Sequence, residues 1–307
     1  MVTVSRLGAW VRVVRVKFFL AGIPSVILGV AISWHLAGVF NLLYFLLTLF
    51  GVMFAMAGCY AFNEYFDFRS GVDVVIRRED ITPFSAGSRV LPEGLLQPSS
   101  VLRVGTTFWL LAFIIGIYLA LTRGWLVVPL AVAGFIAGAF YTLPPFKWAY
   151  RGVGEVLIGL TYGPLITLGS CYVQLASLPP LELVILPSLV PGFLITAVIW
   201  INEFPDFFAD KQIGKKNLVV RLERRKASNI YALLLIATYI LLVAGVLLQL
   251  LPLATLIALL TLPIAYKNIA TAKRKYDNPQ ELIPTMGGTI LLFVSATFFL
   301  ATGYVLR

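Results

Sequence analysis

Histidine occurs once in the 307 residues, at His35, and cysteine only twice, at Cys59 and Cys171. A lone histidine at the far end of the first apolar run excludes a Ser-His-Asp triad and a histidine-based metal site, and neither cysteine lies in a metal-ligand spacing. Both cysteines fall inside apolar runs and read as small core residues, and His35 reads as packing. Charge is scarce as well: 12% of residues are charged against 60% hydrophobic, far from the balance of a soluble globular domain. Short alternating segments of the kind that build a spanning β-barrel are missing too. Helices and closed barrels are the two structures that satisfy their own backbone in lipid, so the chain reads as all-α, a polytopic integral membrane protein. A net charge of +10 would suggest nucleic acid in a soluble protein. These positive residues lie between apolar runs, which points instead to membrane lipid head groups and an anionic substrate, with no nucleic acid.

What is abundant is long apolar runs, each able to cross a hydrocarbon core of about 30 Å as a helix. Nine spans are predicted, at 16–37, 41–66, 101–121, 125–143, 152–175, 182–204, 229–249, 251–267 and 283–305. The basic start, with Arg6, Arg12, Arg15 and Lys17, resembles the opening of a signal peptide, but the apolar run from Phe18 to Val39 is too long for one. With the N-terminus in the cytoplasm, all 24 lysines and arginines except Arg123 and Arg307 fall on the inner side, as do all 14 acids except Glu182. The positive-inside rule therefore sets the orientation, and the expected location is a prokaryotic cell membrane. A single domain over 1–307 is expected, divisible into four-helix halves at 16–143 and 152–267 plus a ninth helix at 283–305.

Two inner connections, 67–100 and 205–228, are long and polar and are expected to cap a site as loops. Each begins with the same pattern. Asn63-Glu64-Tyr65-Phe66-Asp67-Phe68 and Asn202-Glu203-Phe204-Pro205-Asp206-Phe207 share Asn, Glu, an aromatic, a gap, Asp and Phe. Residues four apart share a helix face, so Asn63 stacks over Asp67, and Asn202 over Asp206 and then Asp210. Carboxylates beside apolar segments cost about 2.5–3.5 kcal/mol each at mid-bilayer, so they persist with a cation, a partner or a wet cavity. Oxygen ligands without His or Cys suit Mg²⁺, which usually binds through a few carboxylates plus substrate phosphates. Interleaved basic residues, Arg69, Lys211, Lys215, Lys216 and Arg221, with Lys147 and Arg151 after span 4, make sense beside the acids if the ligand is a polyanion. A diphosphate on a long hydrocarbon meets both conditions. Departure of that diphosphate from an allylic carbon leaves a cation, for which Tyr65, Phe66, Phe204 and Tyr141 are candidate aromatic faces.

On these residues the sequence resembles the UbiA superfamily of intramembrane prenyltransferases. Asn63, Asp67 and Asp73 match its first Asp-rich motif, and Asn202, Asp206 and Asp210 its second. The branch that prenylates 1,4-dihydroxy-2-naphthoate is most similar, on the run Asn63 to Asp73, Tyr141-Thr142-Leu143-Pro144-Pro145-Phe146, Tyr150-Arg151-Gly152-Val153-Gly154-Glu155, Gly163-Pro164, and Asn202 to Leu222. The resemblance implies a nine-helix bundle around a central cavity, with Mg²⁺, as two ions, joining the Asp motifs to a polyprenyl diphosphate and with an aromatic acceptor. It implies that Arg15 and Lys17 match the family's basic residue in span 1, and that Tyr141, Lys147 and Arg151 match the motif after span 4. Asp67, Asp206, Asp210, Tyr141 and Lys147 are then the expected catalytic residues. Metal falls to Asn63, Asp67, Asp73, Asn202, Asp206 and Asp210, and diphosphate to Arg15, Lys17, Arg69, Lys147, Arg151, Lys211, Lys215 and Arg221.

Two positions depart from the pattern. Glu64 stands where many relatives have Asp, and Asp73 lies six residues past Asp67, about 240° round a helix, so it reaches the metals only if the helix breaks near Gly71. Glu64 and Glu203 sit about 100° off the ligand faces and read as supporting or solvated groups. Glu155, inside span 5, reads equally as an acceptor-site or proton-handling group and as the ion-pair partner of Arg151 at i,i+4. Arg77, Arg78, Arg224, Arg225 and Lys226 read as charges touching lipid head groups. Other acceptors remain open with the same donor, namely a glycerol-phosphate ether lipid, chlorophyllide or haem. The non-enzyme alternative is a transporter of a cation or phosphate compound.

Overall fold

A computed structural model describes residues 5–71, 80–85 and 87–306, apart from the side chain of Lys17. Asp73, Arg77, Arg78 and the Lys17 side chain lie outside what is described. Among the described residues the chain is helical throughout, without a strand. A short amphipathic helix, α1 (Arg6–Val13), is capped by Ser5, whose hydroxyl accepts from the Gly8 amide at 3.1 Å. A 3₁₀ segment, Val16–Ala21, leads into α2 (Ile23–Ala37). There follow α3 (Leu42–Ser70), started by Asn41 accepting from the Tyr44 amide, α4 (Pro98–Arg123) and α5 (Val127–Ala139). Next are α6 (Gly154–Leu175), α7 (Glu182–Gln212), α8 (Leu218–Leu247), α9 (Leu253–Lys275, its first turns wound as 3₁₀ to Thr261) and α10 (Pro279–Val305).

Eight stretches among the described residues, the first within Arg6–Ala37, are long and apolar enough to span a bilayer. The fourth predicted span is shorter than its apolar run, because helix α5 stops at Ala139 and the chain turns through Tyr141–Pro145. A larger correction concerns 205–228, expected as a loop. Helix α7 continues through Pro205, Asp206 and Asp210 to Gln212, and α8 begins at Leu218, leaving 213–217 between them. Hydropathy falls where side chains become polar, but a helix satisfies its backbone internally and continues past that point. Gly214, at φ +76°, makes the break. The first polar stretch does leave the helix where expected: α3 ends at Ser70 on Gly71, whose φ of +81° belongs to the left-handed region that glycine adopts without strain.

Helix α7 is the axis of the bundle, packing against α6, α8 and α10, and most of its apolar stretch is buried. Helix α2 sits between α6 and α10, and α3 pairs chiefly with α4. At one end α1 lies over α3 through a small cluster, Ala9, Val13, Ala61, Val90, Leu91 and Leu96, so that the segment after residue 87 is folded down as a cap. Close backbone approach sets some of the packing. A Cβ on Gly29 of α2 would lie 2.4 Å from the Thr167 carbonyl oxygen and 2.7 Å from Ser170 Cβ on α6. Gly29→Ala is therefore expected to cost about 1–3 kcal/mol by overpacking, read as a lower thermal midpoint in detergent. Gly116→Ala, where a Cβ meets nothing within 4 Å, is expected to be neutral or about 1 kcal/mol stabilising.

Candidate active site

Between α3, α4, α5, α6 and α7 lies a cavity of about 430 Å³. One part of its wall carries Asn63 and Asp67 from α3, and Asn202, Asp206 and Asp210 from α7. The two columns that repeat in the sequence thus open onto one space. Elsewhere the wall is apolar, with Trp109, Phe113, Phe135, Leu119 and Val127 among its side chains. Lys215, turned inward just after the Gly214 break, puts Nζ 3.3 Å from Asp210 Oδ1, while Asn217 donates from Nδ2 to Asp210 Oδ2 at 2.8 Å. Burial on its own would push the Lys215 ammonium down, but Asp210 and Asp67, with Tyr141 and Asp206, reverse this and hold it well above the ordinary lysine value. Lys215 is accordingly a fixed positive charge between the two acid columns. Tyr141, also on the wall, is pushed well above the usual phenol value by burial and then by Glu203, so it stays protonated.

The donor set fits magnesium. Asp67 Oδ1 and Asn202 Oδ1 are buried with no hydrogen-bond partner among the described residues, a condition that ordinarily costs about 1–3 kcal/mol per group and calls for a ligand or ion. No three Asp, Glu, His or Cys side chains among the described residues gather closely enough to hold a metal by themselves. That matches an ion which takes one or two carboxylates and completes its shell with substrate oxygens and water.

Glu64 and Glu203 are buried rather than solvated, at 1% and 5% exposure. Glu64 accepts from the Ser88 amide at 3.1 Å and from its hydroxyl, and lies 3.8 Å from the Arg15 guanidinium. It joins the cap to α3 and holds Arg15 against the cavity. Glu203 faces the cavity with Glu155 as its neighbour. Glu155 accepts from the Leu218 amide at the start of α8, while Arg151 donates to the Pro145 carbonyl oxygen. Glu155 thus caps a helix where the i,i+4 spacing suggested an ion pair with Arg151.

The basic residues divide. Arg15 and Lys215 are on the cavity wall. Arg69 is exposed, Lys147 lies over the Tyr150 ring, and Lys211 over the Phe207 ring. Arg221 donates to the carbonyl oxygens of Lys216 and Arg151, fastening the start of α8 to the turn before α6. Of the aromatic candidates, Tyr141 is on the wall, Phe204 is fully buried in the main core, Tyr65 packs against the α1 cluster, and Phe66 stands edge-on to Tyr65. The structure adds Thr142, which donates to Asn63 Oδ1 at 3.0 Å, and Asn217, which caps α8 as it holds Asp210. Asn217 carried a readable signal, an Asn directly before an apolar helical run.

A helical membrane bundle whose two acid-bearing helices share one largely apolar cavity with Lys215 and Arg15 defines an enzyme for an anionic substrate with a hydrocarbon tail. The chain belongs to the UbiA prenyltransferase family, whose pattern matches residues 23–286. It is a multi-pass integral membrane transferase that takes a prenyl group from a prenyl diphosphate, and the transporter alternative is set aside. It is similar to 1,4-dihydroxy-2-naphthoate octaprenyltransferase of Escherichia coli, 29% identical with 96% of each chain covered. It is also similar to 2-carboxy-1,4-naphthoquinone phytyltransferase of Synechocystis, 24% identical over 96% of this chain and 92% of that one. In fold it matches a UbiA homolog from Archaeoglobus fulgidus bound to GPP and Mg²⁺, with a TM-score of 0.62 at 16% identity, covering 96% of this chain and 99% of that one.

Proposed function

We propose that this enzyme transfers a polyprenyl group to a hydroxylated naphthoic acid, with 1,4-dihydroxy-2-naphthoate as the acceptor and lipid-quinone synthesis as the setting. The observation that carries the donor half is the convergence of Asp67, Asp206 and Asp210 on one cavity with Lys215 among them. The acceptor half is supported by the two naphthoquinone-pathway relatives. Charge asymmetry supports an orientation with the acid-lined mouth toward the cytoplasm, and the bacterial relatives support a prokaryotic cell membrane.

Asn63, Asp67, Asn202, Asp206 and Asp210 would hold magnesium, which when bound supplies positive charge to the departing diphosphate. Lys215 and Arg15 bind diphosphate oxygens from the other side, and Lys215 remains charged across the working pH range. The bond from the prenyl C1 to the diphosphate oxygen breaks, the diphosphate leaves with the electron pair, and a ring carbon of the acceptor forms the new bond to C1. Apolar walls keep water from the cation in the interval. Tyr141, neutral and on the wall, offers its ring face to the cation. The ring proton passes to the Glu203–Glu155 pair. Glu203→Gln is accordingly expected to lower kcat by about 10²-fold with the KM for donor unchanged.

The test is product analysis with one labelled donor and a panel of acceptors, with and without chelator. Product with dihydroxynaphthoate, lost in chelator and restored by Mg²⁺, supports the reading. Transfer only to a glycerol-phosphate lipid, chlorophyllide or haem would move the enzyme to another branch, and full activity in chelator would remove the metal.

A further inference from the structure

Below the acid-lined mouth, most polar groups on the cavity wall are already satisfied by the protein. The hydroxyls of Thr48 and Ser170 donate to carbonyl oxygens four residues back on their own helices, and Cys59 Sγ donates to the Gly138 carbonyl oxygen. Tyr60 of α3 and Tyr162 of α6 are different. Both line the cavity, where they are neighbours. A phenol carries one donor and can accept, so even a pair bonded to each other retains one O–H and free lone pairs.

Their placement is local and specific. Tyr60 precedes Asn63 by three residues and Asp67 by seven, so all three share a face of α3, with Tyr60 about one turn, roughly 4.5 Å, deeper than Asn63. The Arg15 guanidinium lies 5.8 Å from the centre of the Tyr60 ring. Tyr162 sits in a π turn, Thr161–Leu165, that interrupts α6. Pro164 within it has no amide to donate and its ring crowds the preceding turn. Gly163 next to it lets α7 come close, since a Cβ there would lie 2.6 Å from the Ser188 carbonyl oxygen and 2.7 Å from Gly192 Cα. Gly163-Pro164 is one of the marks singled out in the sequence, and its structural result is a widened turn that carries Tyr162 into the cavity. Such turns recur at functional sites.

The prenyl C1 is bonded to the diphosphate, so with diphosphate held at Asp67 and Asn63 the reacting carbon lies below them, on the Tyr60 side of the cavity. An attacking ring carbon has to lie about 3–3.5 Å from it. We propose that Tyr60 and Tyr162 form the acceptor-orienting site, hydrogen-bonding one ring hydroxyl of a hydroxylated aromatic so that the carbon beside it faces C1. The proposal rests on the aromatic-acceptor reading above and adds to it the residues that read the hydroxyl.

The experiment measures KM for donor and acceptor in full-length wild type, Tyr60→Phe and Tyr162→Phe, using 1,4-dihydroxy-2-naphthoate and its two monomethyl ethers. Each variant is expected to raise the acceptor KM about tenfold, the worth of one hydrogen bond, with donor KM and thermal midpoint unchanged. Capping the hydroxyl that the pair reads is expected to bring wild type to the variant's KM and to cost the variants nothing further. An unchanged acceptor KM in both variants, a parallel rise in donor KM, or losses that add between variant and ether would overturn the site. A wild type that binds donor but prenylates no hydroxylated aromatic would overturn the acceptor reading and the site with it.

Discussion

Asp67→Asn is expected to lower prenyl transfer by about 10³-fold, with the protein still folded in the membrane and still retaining its apolar cavity. The substitution keeps the shape and removes one charge from the column that faces Asp206 and Asp210. Removing a single preorganised group that stabilises developing charge costs about 10²–10³-fold in rate, and Asp67 is placed to act on both the metal and, through it, the leaving diphosphate. Its Oδ1 is buried without a hydrogen-bond partner among the described residues, which leaves that oxygen free to take a ligand. The check is initial rates at saturating donor, acceptor and Mg²⁺, alongside a thermal unfolding curve. Asp206→Asn is expected to behave alike. A variant with ordinary rates would detach the first motif from the chemistry.

Lys215→Met is the second large effect, and its sign depends on magnesium. In the structure the Lys215 ammonium is the positive charge closest to the buried Asp210, whose exposure is 1%. Breaking a buried ion pair by removing one partner typically costs about 3–5 kcal/mol, because the other charge stays buried. The variant is therefore expected to unfold at a clearly lower temperature than wild type in chelator. Magnesium alone is expected to raise its midpoint more than that of wild type, since the ions supply the missing positive charge. Equal shifts in the two proteins would show that Lys215 and the metal do not act on the same carboxylates.

Much of this site is legible in the sequence. The two Asn/Asp columns were readable because helical periodicity alone stacks residues four apart, and lipid makes a carboxylate there conspicuous. The break at Gly71 was readable because an αL terminus favours glycine. Other features depend on tertiary contact. Lys211, Lys215 and Lys216 look alike in the sequence, and only the turn at Gly214 and the Asn217 cap put Lys215 into the cavity while Lys211 lies over Phe207. Glu64 lies off the ligand face of α3, and its role appears when Ser88, 24 residues away, comes across to bond it. Tyr162 gave no periodic signal, because the π turn that presents it shifts the helix register. The overextended loop at 205–228 has one cause: side-chain polarity was read as the end of a helix whose backbone did not need to stop.

Both acid columns together are expected to hold one diphosphate through metal ions. The most direct measurement is a structure of the enzyme with Mn²⁺ and geranyl thiodiphosphate, with the metal located by its anomalous scattering. Two metal peaks are expected beside the diphosphate, one coordinated by Asp67 and the other by Asp206 or Asp210, with the prenyl tail running toward Tyr60. A diphosphate held by lysine and arginine alone, or metal bound at a single column with the other acids turned away, would contradict it.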